Sequence, residues 1–178
     1  MHQGNQRSSF VTVLAWIFIV LSGFGTLVGI LQGFMLMTML NTPEMAQALQ
    51  APVAAGAPPF AIFMMKNMFA FFMGMLALNV LTLIASIGLL VRRNWARVLF
   101  IGLMVFGIAW NVAGLVLQFS MLSYMRQQFA AVPDAPDMSV FLIGVSVVSV
   151  IFVLAFSALF GWIIKRLMSP PVVAEFVR

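Results

Sequence analysis

Two methionine pairs, Met35/Met39 and Met121/Met125, stand four residues apart, the interval that puts both thioethers on one face of a helix. Thioether sulfur is a soft ligand suited to Cu(I), so these are the metal-ligand candidates in a chain of 178 residues with 15 methionines and no cysteine. Met37, Met45, Met64, Met65, Met68 and Met138 are expected at the same end of the molecule. Methionine is also a flexible filler of apolar helices and of adaptable contact surfaces. The packing account is adopted here, so no metal and no cofactor are assigned.

A second set of chemically capable groups is neutral. Gln32, Asn79, Asn111 and Gln118 carry amides inside apolar runs, where lipid offers no hydrogen-bond partner. Each is expected to bond across to a neighbouring helix, or else to line a path for a neutral solute. Acid–base chemistry has little to work with. No Asp or Glu falls inside an apolar run, which disfavours a proton-coupled carrier built on a membrane carboxylate. The single histidine is His2, and a haem held by paired histidines or a quinone-linked disulfide chemistry would need residues the chain lacks. There is no G-x-S-x-G, H-E-x-x-H or phosphate-loop pattern. A non-enzymatic protein is expected.

Those groups are positioned by elements that the composition identifies. The chain is 63% hydrophobic and 7% charged with a mean hydropathy of +1.12, against about a quarter charged in soluble domains. An integral membrane protein follows, as one membrane domain over residues 1–178 with spans near 9–40, 59–91, 95–127 and 136–168. Each exceeds the roughly 20 residues a helix needs to cross the hydrocarbon. A helix of some 32 residues is about 48 Å long, more than the bilayer core of about 30 Å, so Lys66 and Arg126 are expected at or beyond one interface. The first span is too long for a signal-peptide core and is taken as an uncleaved anchor.

Charge sets the orientation. Arg7, Arg92, Arg93, Arg97, Lys165, Arg166 and Arg178 fall on one side of the spans, against Lys66 and Arg126 on the other, which places both termini in the cytoplasm. Glu44, Asp134 and Asp137 lie in the two outer loops and Glu175 alone inside. The pI near 11.3 reflects basic residues at span ends rather than a patch on a soluble domain, so no nucleic-acid partner is assigned. The outer loop after span 1 is expected to start a short helix at Thr42-Pro43, Asn94 to cap span 3 after a tight RRN turn, and Asp134 to cap span 4. The fold class is all-α: an antiparallel four-helix membrane bundle.

Small and polar residues recur at helical spacing and mark the packing faces. Span 1 carries Ser22, Gly25, Gly29 and Gly33; span 2 carries Asn79, Thr82 and Ser86; span 3 carries Gly107, Asn111, Gly114 and Gln118; span 4 carries Ser146, Ser149, Ser157 and Gly161. Glycine in a helix interior costs roughly 1 kcal/mol against alanine in water, and in a bilayer the return is close backbone approach. Spacing alone leaves open whether Gly25, Gly29 and Gly33 face the bundle or a second copy, with the bundle favoured.

The stretches IGLLVRRNWARVLF (87–100) and GWIIKRLMSPPVVAEF (161–176) resemble segments of small four-span proteins of Gram-negative inner membranes. The resemblance covers about a fifth of the chain and implies a bacterial inner membrane and a four-span topology, with no activity attached. The expectation is an interaction or accessory subunit in the lipid bilayer, self-associating or bound to a partner membrane protein. A channel or carrier for a neutral solute or a soft metal ion is the alternative. The ending SPPVVAEFVR is expected to offer a cytoplasmic contact through Val172, Val173, Phe176 and Val177.

Overall fold

A computed structural model of the chain describes residues 9–43, 59–130 and 139–176. These form α1 (Ser9–Leu40), α2 (Pro59–Lys66), α3 (Met68–Leu90), α4 (Asn94–Ala130), α5 (Ser139–Leu167) and α6 (Pro170–Ala174), with no strand among the described residues. The basic N-tail, the expected loop helix beyond Pro43, the Asp134 cap, and Glu44, Met45, Asp137, Met138 and Val177 lie outside the described residues. Helices α1, α3, α4 and α5 are each long and apolar enough to cross a membrane, the architecture of a multi-pass membrane protein. In hydrocarbon every backbone N–H and C=O must find its partner within the segment, and only a helix does this for a lone run of apolar residues. Large side chains such as Phe24, Phe34 and Val140 therefore stand on the outside, where lipid replaces water.

The helix ends follow from local chemistry. At the end of α1 the Asn41 side chain donates to the Met37 carbonyl at 2.9 Å and the Thr42 hydroxyl to Met39 at 2.7 Å, and Pro43 follows. Pro43 is itself helical, and the N–H groups that Thr42 would cap lie outside the described residues. Span 2 is divided, unlike the continuous helix its hydropathy predicts. At Asn67 ψ opens to 23° while the side-chain amide donates back to the Phe63 carbonyl at 2.9 Å, a local bond that competes with regular helix geometry.

The turn between α3 and α4 has a defined form. The Arg93 N–H bonds to the Gly88 carbonyl at 3.0 Å and the Arg92 N–H to Leu89 at 3.1 Å, with Arg92 at φ 60°. That is a Schellman ending, whose left-handed position is ordinarily glycine. Here arginine occupies it. Asn94, expected as the cap of span 3, is instead the first residue of α4; the Arg93 carbonyl receives the N–H groups of Ala96 and Arg97. After α5, Ser169 is extended because it precedes proline, and Pro170 and Pro171 open α6 where missing N–H groups cost nothing.

The four long helices pack against one another, α1 chiefly on α3, α3 on α4, and α4 on α5. The tightest burial lies at one end. Val11, Leu14 and Ala15 of α1, Ala85 and Leu89 of α3, Phe100 and Met104 of α4, and Ile163 and Leu167 of α5 form one cluster with Val172 and Phe176. Phe18 meets Phe100 edge to face at 4.9 Å, and Phe10 meets Trp162 likewise at 5.4 Å, joining α1 to α4 and to α5. The segment after α5 therefore turns back into the bundle. Val172 and Phe176, expected to face a cytoplasmic partner, are each only 4% exposed and belong to the chain's own core.

Candidate functional site

The α1–α3 seam is built from the glycines of span 1. A Cβ placed on Gly25 would stand 2.6 Å from Asn79 Oδ1, one on Gly29 2.9 Å from Leu76 Cδ1, and one on Gly33 2.9 Å from Phe72 Cε1. Numbers rise on α1 as they fall on α3. The α3 positions Phe72, Leu76, Asn79, Leu83 and Ser86 alternate steps of four and three, the spacing of a seam between two helices that cross at a shallow angle. A side chain at any of these three places would have to displace the tip of Asn79, Leu76 or Phe72, so the glycines give the two helices their close approach. Gly88 is a fourth such position, missed in the sequence: Ala96 and Trp95 of α4 close over it. Its signal was its place one turn before the RRN turn, where two helices must come close.

The amides divide. Asn79 donates to the Met75 carbonyl of its own helix at 3.1 Å while its oxygen lies against Gly25, so it is a packing group rather than the cross-helix donor expected. Gln118 does bridge: its Nε2 donates to Ser149 Oγ on α5 at 2.6 Å, and the serine hydroxyl donates on to Val145 at 2.8 Å. Asn111 makes no side-chain hydrogen bond among the described residues, and Gln32 is exposed. The hydroxyls of Ser22, Thr26, Thr82, Ser86 and Ser146 donate to carbonyls four residues back, which satisfies them without a partner helix.

On the α4–α5 seam Gly107 receives the Phe160 ring, 2.9 Å from where its Cβ would be. Gly114, expected on a packing face, meets nothing within 4 Å, and the same holds for Gly161. Spacing placed Gly114 in line with Gly107 and Gln118, but no neighbour reaches it as the Phe160 ring reaches Gly107. Gly74, Gly102 and Gly144 are likewise open. Met35 and Met39 point outward on α1 and Met121 outward on α4, with Met125 partly covered, so these sulfurs are not gathered into one buried cage.

Charge concentrates where the core is tightest. Arg92 Nε stands 3.2 Å from Glu175 Oε2, both side chains mostly covered, and Arg92 Nη2 donates to Thr12 Oγ1 at 3.1 Å. The Arg92 guanidinium lies 5.9 Å from the Phe176 ring centre and the Arg97 guanidinium 5.7 Å from the same ring. Arg166 covers Phe10 at 5.8 Å. A left-handed arginine is strained by about 1–2 kcal/mol, and the contacts of its side chain with Glu175, Thr12 and Phe176 help to hold it there. This node joins the start of α1, the α3–α4 turn and the α6 segment. Sequence reasoning missed it, although Glu175 stood out as the one acid among seven bases assigned to that side.

Two polar contacts thus tie separate segments together, Gln118 on Ser149 and Glu175, the sole carboxylate among the described residues, on Arg92, while most of the described hydroxyls bond to carbonyls of their own helix. Comparison with protein-family models, with curated proteins and with solved structures finds no match to this chain.

Proposed function

We propose that the chain is a non-enzymatic, self-associating accessory subunit of a bacterial inner membrane, an antiparallel four-helix bundle with both termini in the cytoplasm. The observation that carries the adhesive role is the set of open glycines on α4 and α5. Gly102, Gly114, Gly144 and Gly161 have nothing within 4 Å of a Cβ, whereas Gly25, Gly29 and Gly33 are filled from within. Bare backbone on a lipid face gains nothing from lipid, and a second helix that packs into it gains van der Waals contact. The orientation is supported by Arg92, Arg93, Arg97, Lys165 and Arg166 gathering at the end where α1 begins and α5 finishes. Asn79 wedged on Gly25 and Gln118 spent on Ser149 support adhesion over a solute path.

Mass measurement in mild detergent and photobleaching step counts in native membranes test the reading. A dimer or small oligomer is expected, weakened by Gly114→Leu or Gly144→Leu without loss of melting temperature. A wild-type protein that is monomeric in both settings, with no co-purifying membrane protein, refutes it. Because the chain has no cysteine, single cysteines report orientation: Arg93→Cys is expected to label only from the cytoplasm and Ala54→Cys only from outside.

A further inference from the structure

The Gln118–Ser149 hydrogen bond ties α4 to α5, and on the side of it away from Arg92 the two helices border a half-open cleft of about 250 Å³. Phe119 and Leu122 of α4 and Leu142 and Val147 of α5 wall it, and Arg126 stands among its lining residues. We propose that this cleft holds an acyl chain of an anionic phospholipid whose phosphate is bound by Arg126. The proposal goes beyond the adhesive role and does not depend on it.

Polarity selects the occupant. The walls are apolar, so an occupant that brings no unpaired polar groups suits them. An extended peptide would leave backbone N–H and C=O groups against apolar walls, a large penalty without partners. An acyl chain carries no such groups. The two hydroxyls in the lining make no demand on it either, since Ser123 donates to the Phe119 carbonyl at 2.9 Å and Ser146 to Leu142 at 2.7 Å.

Charge and depth select the headgroup. Phe119, Leu122 and Arg126 follow at helical spacing, which sets the guanidinium on the same face as the walls and one turn further out. From Arg97 to Arg126 the helix climbs about 44 Å, more than the hydrocarbon core of about 30 Å, so Arg126 reaches headgroup depth on the far leaflet. Arg126 is exposed and has no ion pair among the described residues; the carboxylate described there, Glu175, is bound to Arg92 at the other end. A planar guanidinium takes a phosphate through two hydrogen bonds. A guanidinium attracts the phosphate and repels a choline or ethanolamine cation, so the site favours a headgroup of net negative charge.

The test is native mass spectrometry of the full chain in detergent, titrated separately with phosphatidylglycerol and phosphatidylcholine. The wild type is expected to retain one phosphatidylglycerol about tenfold more tightly than phosphatidylcholine, the scale of a charge-assisted contact. Arg126→Gln is expected to erase the difference and Arg126→Lys to keep most of it. Ser146→Phe, which fills the cleft, is expected to remove both lipids, with Val147→Trp as a second filling variant should the first fail to fold; unchanged melting establishes that each variant is intact. Equal retention of the two lipids by the wild type overturns the proposal. So does a preference that survives Arg126→Gln, or one that disappears instead in an Arg93→Gln, Arg166→Gln protein, which would place the lipid at the opposite end.

Discussion

Arg92, in the left-handed position that ends α3, and Glu175, just beyond α6, meet at 3.2 Å and fasten the end of the described chain to the turn between two membrane helices. Backbone strain at Arg92 and the ion pair are thus two aspects of one arrangement, since the left-handed turn sends the side chain inward to Thr12, Glu175 and Phe176. Glu175→Gln is expected to lower stability by about 1–3 kcal/mol, because a partly buried guanidinium is left without its counter-charge. Arg92→Gly and Arg92→Ala lose the same side-chain contacts, but glycine accepts φ 60° freely. The alanine protein is therefore expected to be less stable than the glycine protein by about 1 kcal/mol in denaturation in mixed micelles. Equal stability would show that the turn relaxes when the side chain is removed.

Phe176 fills the core beneath the two guanidiniums of Arg92 and Arg97. Phe176→Ala is expected to cost about 3–5 kcal/mol, the range for truncating a buried aromatic ring. A loss below 1 kcal/mol in the same denaturation assay would mean that the α6 segment is dispensable to the fold.

On the α1–α3 seam, Gly29→Leu is expected to be the most disruptive single change on α1. The leucine would need the space Leu76 fills, and α1 cannot bend away at the centre of a three-glycine contact. Leu76→Ala should recover part of the loss, a coupling of about 1 kcal/mol or more in a double-mutant cycle. Gly74→Ala, at an open position on α3, should leave melting unchanged.

Gln118→Leu should lower stability by about 0.6 kcal/mol, the average of a cross-helix hydrogen bond in a membrane. Ser149→Ala should do the same, and the double variant should lose no more than either single one, since both remove one bond. Additive losses measured by reversible unfolding would show that the two side chains act separately.

Titration with Ag(I), as a stand-in for Cu(I), is expected to show weak binding, because Met35, Met39 and Met121 point outward rather than toward one centre. Tight one-to-one binding that disappears in Met121→Leu would instead require the thioethers to gather on metal uptake.

The sequence alone determined the four apolar helices, because hydropathy and length are sums over residues that do not depend on how helices meet. It also marked Gly25, Gly29, Gly33 and Gln118 as contact positions, since bare backbone and lone amides are conspicuous in an apolar run. Which neighbour each one meets was decided only in three dimensions. Gly114 and Gly107 look equivalent along the helix, yet one is open and the other is covered by Phe160, because cover depends on which side chain the facing helix presents at that level. The break at Asn67 depends on a side-chain amide choosing a backbone carbonyl, which composition does not register. The Arg92–Glu175 node was hardest to foresee. It needs a left-handed residue, a proline-directed reversal after α5 and an unoccupied space at the bundle end to coincide, and such long-range agreement exists only once the helices have packed.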